Sequence, residues 1–392
     1  MRNTLNPFVT NLVFCALLSL AIQAAAQQDA SHNVLPAIAH FQGVGSIAGI
    51  GIQGKNLGDD DYSALAMVAV GDAQGALLSV SELPWANGSL SLTTALITDI
   101  TLDTQYARGT NTSTKYKQHL SGLAQFARLN TRMKPHQHWY INAGLSLVSL
   151  EGYSDRQGVD IVINQSGLHD VFTTMAAVGI NYDKQELSNN TQGLKANIEL
   201  ASLLFRPGQS DQAQLNYNTS YIYPINDATT LTGYIRGSHG FVLAKKADYD
   251  QVSEVLAEID GQCDTAACTE LENDLANYIV KGNNNGNAQA LGGAYGLRSY
   301  SEQYIKGANT LLEGLELAIT LPFVMKAGNS IELVSFVEAG QANDTFSELV
   351  NDSLYSLGAG ARFNINKVPI RLEAAVGSDD TQAWFLTAGK RW

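Results

Sequence analysis

The chain of 392 residues carries a formal net charge of −13, with 45% hydrophobic and only 16% charged residues. That acidic balance argues against nucleic acid as a partner, because phosphate recognition needs an excess of Lys and Arg. The charged fraction lies well below the ~25% of soluble domains, yet nothing after the first apolar run approaches the ~18 residues of a membrane helix.

Met1-Arg2, an apolar run from about Val9 to Ile22 and Ala24-Ala25-Ala26 ahead of Gln27 have the layout of a secretory signal peptide over 1–26. Cys15 follows bulky Phe14 in mid-run with no small residue before it, which disfavours a lipoprotein site. Residues 27–42 are a short N-terminal segment, too small for a folded domain. In an exported chain, low charge without membrane helices points to strands that face lipid one residue in two.

From residue 43 the chain alternates. Trp139, Ile141, Ala143, Leu145 and Leu147 oppose Tyr140, Asn142, Gly144 and Ser146. Tyr355, Leu357, Ala359, Ala361 and Phe363 oppose Ser356, Gly358, Gly360 and Arg362. Val368, Ile370, Leu372 and Ala374 oppose Arg371 and Glu373. An apolar/polar dyad over ~10 residues, repeated many times, is the signature of a transmembrane barrel. A soluble sandwich also alternates, but with shorter strands and a more charged exposed face.

The pattern predicts an all-β fold, an antiparallel outer-membrane barrel over 43–392. Its sixteen segments are 43–54, 62–71, 75–83, 88–101, 114–130, 137–150, 169–183, 193–205, 212–223, 228–240, 287–294, 310–323, 330–341, 353–365, 368–377 and 382–392. Fourteen strands remain an alternative, since barrels of this kind take even numbers. In the first segment Gly43, Gly45, Gly49 and Gly51 share one face. Gly49, Gly51 and the closing Trp392 would mark a weak seam between first and last strands, because glycine-rich strands pair poorly. Equally, glycine would make room in a crowded lumen.

If the last strand ends at the periplasmic rim, counting backwards puts 364–367 and 325–329 on short inner turns. Segment 341–352 and the loop holding Arg298 then lie outside. The same count places 244–289 in the periplasm. There Val252, Val255, Leu256 and Ile259, and then Leu271, Leu275, Tyr278 and Ile279, follow helical spacing. Cys263 and Cys268 sit between the two runs, and an even pair in an exported protein is most simply a disulfide. This acidic hairpin reads as a plug, a docking site or a decorated turn.

Several motifs have plain readings. His136 and His138 stand beside Trp139 and Tyr140, as in an interfacial aromatic girdle, and two imidazoles are one short of a useful metal site. Gly237-Ser238-His239-Gly240 lies at a strand end and is not the G-x-S-x-G elbow. No Ser/His/Asn or paired-Asp set has coherent placement, so neither catalytic residues nor a cofactor is expected.

The stretch from Leu291 to Gly340 is the most specific. Parity turns Glu338 toward the lumen, on the face of Glu332, Phe336 and Gly340. Gly292-Gly293, Leu297-Arg298-Ser299-Tyr300 and Phe336-Val337-Glu338-Ala339-Gly340 together resemble the BamA/TamA superfamily, the bacterial surface antigen barrels. They also resemble the barrels of the hemolysin activation/secretion transporters. The resemblance is motif-level over 290–392 and architectural before that. It implies a sixteen-stranded barrel with an inward-folded loop, whose Arg298 pairs with Glu338 while Gly292, Gly293, Tyr300, Phe336 and Gly340 frame the contact. A hydrated Arg298 left in an outer loop is the competing arrangement.

The resemblance further implies work on polypeptide substrates in outer-membrane lipid. Family members usually carry periplasmic POTRA modules, for which residues 27–42 leave no room, so the expectation is a stand-alone member that draws on a separate periplasmic partner. A pore for small solutes, or a barrel that perturbs the bilayer, is the alternative function. Glu338 replaces the family's aspartate, Lys390 stands where an apolar residue is usual, and Ser299 replaces a glycine. A positive φ at Ser299 would cost about 1 kcal/mol.

Overall fold

Period-two alternation gives each strand one apolar and one polar or small face, and the economical way to satisfy every backbone group in lipid is to close the sheet. A computed structural model has that form. It describes residues 31–41, 45–57, 62–85, 87–104, 106–110, 116–154, 170–184, 192–204, 209–245, 251–259, 266–321, 330–349, 351–365, 368–378 and 380–388.

The strands are β1 (Ser31–Phe41), β2 (Gly45–Leu57), β3 (Tyr62–Gly71), β4 (Ala73–Trp85), β5 (Gly88–Thr104) and β6 (Tyr116–His136). Next come β7 (Trp139–Ser154), β8 (Asp170–Asp183), β9 (Gly193–Leu204), β10 (Asp211–Asn226) and β11 (Thr229–Ala244). After helices α1 (Val252–Ile259) and α2 (Ala266–Asn285) follow β12 (Asn309–Thr320), β13 (Ser330–Asn343), β14 (Leu354–Ile365), β15 (Val368–Gly377) and β16 (Gln382–Ala388). Each strand pairs antiparallel with its chain neighbour, and β1 closes on β16. This is a closed sixteen-stranded barrel.

Its outer surface is apolar. Ile50, Val68, Val178, Ile198, Leu315, Val337, Leu357 and Trp384 are all exposed, while the residues between them turn inward. No described helix is long and apolar enough to cross a membrane.

The strand count agrees with the sequence because two expectations fail and cancel. Residues 31–41 form β1, where the sequence suggested only a short segment. The strand is hard to recognise because its sequence, Val34-Leu35-Pro36-Ala37-Ile38-Ala39, is a run without apolar/polar alternation and contains a proline. The glycine-rich stretch is therefore β2, not the first strand. Gly49 pairs with Ala37 and Ala69, and Gly51 with Leu35 and Met67, so neither lies on the closing seam. A Cβ on Gly49 would meet the Val68 carbonyl oxygen at 2.5 Å, which gives that glycine a packing reason. The described seam instead pairs His40 with Leu386, and the His40 ring stacks on Trp384 at 3.7 Å. Trp392 lies outside the described residues.

The second failure is the strand expected over 287–294. Asn287 and Gln289 alternate with alanines, but this stretch bonds to side chains of the barrel wall and to its own connection rather than joining the barrel's ladder. Asn287 N–H donates to Gln212 Oε1 at 3.1 Å, and Gln289 N–H donates to Ser238 Oγ at 2.9 Å. β11 pairs directly with β12 instead. The helices and the Arg298 segment thus belong to one connection, at the barrel end that also holds the β13–β14 and β15–β16 connections. The backward count puts 244–289 and the Arg298 loop at opposite ends of the barrel; in the structure both lie at the same end.

Candidate functional site

Register lines up the inner faces of five strands. Tyr234, Gly314, Glu338, Ser356 and Gly377 form one row across β11 to β15, and Thr232, Glu316, Phe336, Gly358 and Ala375 form the next. Glu373 faces Gly360, and Arg371 faces Arg362. The glycines leave space above the sheet. At Gly314, for instance, a Cβ would run into the Tyr234 hydroxyl.

The β11–β12 connection enters that space. Leu291 and Ile305 exchange backbone hydrogen bonds of 2.8 and 3.0 Å and close the base of a loop. Its turn needs Gly292 and Gly293, whose φ of +111° and +82° suit glycine alone. A side chain on Gly293 would also displace the Glu302 carboxylate, which accepts from Ala294 N–H at 2.8 Å. Burial pushes the Glu302 carboxyl above its usual range, and that backbone bond offsets part of the push. Ser299 is not among the residues with positive φ, so the strain expected there is absent. Leu291, Leu297, Tyr300, Tyr304 and Ile305 give the loop an apolar core shared with Tyr234, Leu312 and Leu354.

Arg298, with a relative exposure of 0%, reaches the two rows. Its backbone N–H donates to Glu338 Oε2 at 3.0 Å and its Nε to Glu338 Oε1 at 3.0 Å. Nη1 donates to Glu316 and to Glu373, each at 3.1 Å, and Nη2 donates to Tyr234 Oη at 3.3 Å. Tyr234 Oη in turn donates to Glu338 Oε1 at 2.6 Å. The guanidinium carbon lies 3.1 Å from the centre of the Phe336 ring. Arg362 reaches Glu316 at 2.6 Å and Glu373 at 3.2 Å, and Arg371 reaches Glu373 at 3.5 Å and the Ala294 carbonyl at 3.0 Å.

Three guanidinium groups therefore face three carboxylates. Burial alone would loosen the Arg298 proton, but Glu338, Glu373 and Glu316 reverse this and hold it above its ordinary value. A buried ion pair repays its dehydration only when its remaining hydrogen bonds are met. Here the planar fork of arginine contacts acceptors along three of its edges.

Of the residues singled out from sequence, the structure brings together Arg298, Glu338, Phe336, Gly292 and Gly293, with Tyr300 buried and its hydroxyl 3.3 Å from Ser378 Oγ. Gly340 lies beneath Leu297, whose Cδ2 is 3.0 Å from where a Cβ would sit. Cys263 falls outside the described residues, so the disulfide rests on sequence. Sequence reasoning missed Tyr234, Glu316, Glu373, Arg362 and Arg371 as members. Parity had already turned Arg362, Arg371 and Glu373 inward; the missing signal was cross-strand register.

Above the cluster, α2 and the loops cover the lumen mouth. Gln212 Nε2 donates to the Gly282 carbonyl at 3.0 Å, and Gln214 Nε2 to the Asn287 carbonyl at 2.7 Å. From the β5–β6 connection Arg108 bridges Asp344 at 2.6 Å and the Gly286 carbonyl at 2.7 Å. Tyr106 of the same connection packs against the α1–α2 core of Val255, Leu275 and Ile279.

This chain matches the family model described as the Omp85 superfamily domain over residues 78–392. The chain belongs to the Omp85 superfamily. Omp85 barrels are Gram-negative outer-membrane proteins that work with polypeptide substrates and partner proteins. Among solved structures, CdiB from Escherichia coli is similar at 14% identity with a TM-score of 0.60, over 92% of this chain and 62% of that one. BamA from Haemophilus ducreyi lacking POTRA domains 1–3 gives 14% identity and 0.55, over 93% and 70%. CdiB from Acinetobacter baumannii gives 15% and 0.55, over 92% and 59%. At these identities the likeness is one of fold, and this chain spans less than two thirds of either CdiB. No curated protein matches the sequence.

Proposed function

We propose that this Omp85 barrel assists the insertion or translocation of polypeptides at the outer membrane, without enzymatic chemistry. The observation that carries the reading is the buried Arg298 cluster, which fastens a long loop to five consecutive strands close to the closing strand. An anchor of that kind lets the loop and the adjoining wall act as one body while a substrate is handled. The rest of the proposal follows from sequence: export by a signal peptide ending near Ala26, a separate periplasmic partner for substrate capture, and a Cys263–Cys268 disulfide in the helical hairpin.

Lipid vesicles test it. Vesicles carrying the protein are expected to speed the folding of an added, urea-unfolded outer-membrane protein, read by its heat-dependent gel mobility, and Arg298→Ala should abolish the gain. Equal rates in empty vesicles refute insertion. A solute pore is the second reading, favoured by the hydroxyl and amide wall opposite the cluster, where Ser79 meets Thr93 at 2.8 Å and Asn197 meets Asn181 at 2.7 Å. Steady, solute-selective conductance in planar bilayers without any effect on polypeptides would decide for it.

A further inference from the structure

Away from the Arg298 cluster, the wall of strands β4 to β9 lines a cavity of about 390 Å³. It lies toward the β4–β5, β6–β7 and β8–β9 connections, at the end of the barrel opposite the helices. One strand is deformed where it meets this cavity. The β4–β5 ladder steps from Val80–Leu92 to Leu83–Leu90, so Ser81 and Glu82 together stand opposite Ser91. That is a β-bulge. Regular alternation sets neighbours on opposite faces, yet Ser81 and Glu82 both line the cavity. Glu82 has a φ of +65°, a conformation that costs a non-glycine residue energy and that gathers at ligand clamps.

The lining carries both signs of charge. Arg132 and Lys195 are matched by Glu82 and Asp183, so the cavity selects neither anions nor cations. The Arg132 guanidinium lies 3.7 Å from the centre of the Tyr140 ring, and this stacking fixes its plane. On the neighbouring strands β7 and β8, Asn142 and Asn181 line the same cavity. Asn181 Oδ1 accepts from Asn197 Nδ2 at 2.7 Å. Its Nδ2, a donor, and Asn142 Oδ1, an acceptor, are buried without a hydrogen-bond partner among the described residues. Buried amide atoms left unpaired are costly, and a ligand that both accepts and donates satisfies the two together.

We propose that this cavity is a binding site for a neutral saccharide. A hydroxyl is donor and acceptor at once. Sugar hydroxyls donate to Asn142 Oδ1 and the Glu82 carboxylate, and accept from Asn181 Nδ2 and the Arg132 guanidinium. Polar groups reach the cavity from every strand between β4 and β9. That spread suits hydroxyls set around a pyranose ring, whereas an extended peptide offers its amides along one line. The volume falls within the ~300–1,000 Å³ of small-molecule sites. The inference stands apart from the polypeptide reading, since binding is measured without insertion or transport.

The test is calorimetric titration of the purified full chain, held in a detergent without a sugar headgroup, with maltose and separately with chitobiose. Saturable binding of either disaccharide is expected. Glu82→Ala and Asn142→Ala should each weaken it about tenfold, the scale of one hydrogen bond to a charged or buried group. Gln303→Ala, in the inward loop at the other end of the barrel, should leave it unchanged. Heat-dependent gel mobility reports whether each variant has folded, and Asn142→Ala decides if the change in the bulge prevents assembly. Failure of both disaccharides to saturate overturns the proposal. Saturation by blocked trialanine alone also overturns it and assigns the cavity to a polypeptide main chain. Saccharide binding that survives both cavity variants, or falls equally with Gln303→Ala, overturns the assignment to this cavity.

Discussion

One loop holds Arg298, fully buried, and Lys306, half-buried, eight residues apart and treats them in opposite ways. Arg298, at the floor of the loop, meets three carboxylates and holds its proton more tightly than a free arginine. Lys306, at the mouth, faces two aromatic rings with Arg108 nearby, and its pKa falls to about 8. Burial pushes both in the same direction; the neighbours set the outcome. At the floor the carboxylates outweigh the cost of burial, and at the mouth burial prevails.

The largest predicted effect comes from breaking the floor. Arg298→Ala strands Glu316, Glu338 and Glu373 with Arg362 and Arg371 alone, and losing one partner from a buried charged set costs about 3–5 kcal/mol. Heat resistance of the folded band on unboiled gels should fall, and the loop should become open to added protease. Glu338→Ala should do nearly the same, with the double variant little worse than either. Additive losses in that cycle would show that the two residues act separately and that the anchor is not a unit. Arg298→Lys should rescue little, since an ammonium lacks the fork.

Next in size is the hairpin at the mouth. Cys263 and Cys268 are predicted to resist alkylation in protein isolated without reductant. A short closed loop contributes roughly 2–3 kcal/mol at most, and here only to α1 and α2. Cys263→Ser should therefore raise proteolysis between the helices and leave the barrel's gel shift intact. Loss of the shift would tie the mouth to the barrel more tightly than the comparison allows. Gly314→Ala tests the floor without touching a charge. Its methyl group must displace the Tyr234 ring, an overpacking cost of about 1–3 kcal/mol. Tyr234→Phe alone keeps the ring and removes its hydrogen bond to Glu338, and should cost less.

Parity was enough to read the barrel, the inward side of Glu338 and the two helices, because each rests on a local period. What escaped was non-local. β1 is an apolar run without alternation in its sequence and carries Pro36, so no period marks it, and only its pairing with β2 and β16 identifies it. Residues 287–290 alternate like a strand, yet they bond to side chains of Gln212, Gln214 and Ser238 and, through Ala288 N–H, to the Gly307 carbonyl of their own connection. Missing one strand and adding another kept the total while separating the helices from the Arg298 loop, with which they share one connection. In the cluster, Arg298 and Glu338 carried a recognisable motif, whereas Glu316 looks like an ordinary inward residue until register sets it beside Phe336.

The smallest predicted effect separates floor from mouth by pH. Lys306 has a folded pKa of about 8 against an ordinary 10.5, so between these values the folded mouth binds fewer protons than the unfolded one. Stability then rises with pH across that interval. Charged at neutral pH, the ammonium opposes its own burial; losing the proton removes that opposition. The Tyr106 and Tyr278 rings face it, with Arg108 nearby. Cleavage of the helical segment by added protease should accordingly slow from pH 7 to about pH 9, a window that stops before phenols in general ionise. Lys306→Gln should flatten the profile, while the heat resistance of the barrel, set by the floor, should stay level in both proteins. A parent profile as flat as the variant's would mean that Lys306 keeps its charge at no cost. The contrast between the two cations would then disappear.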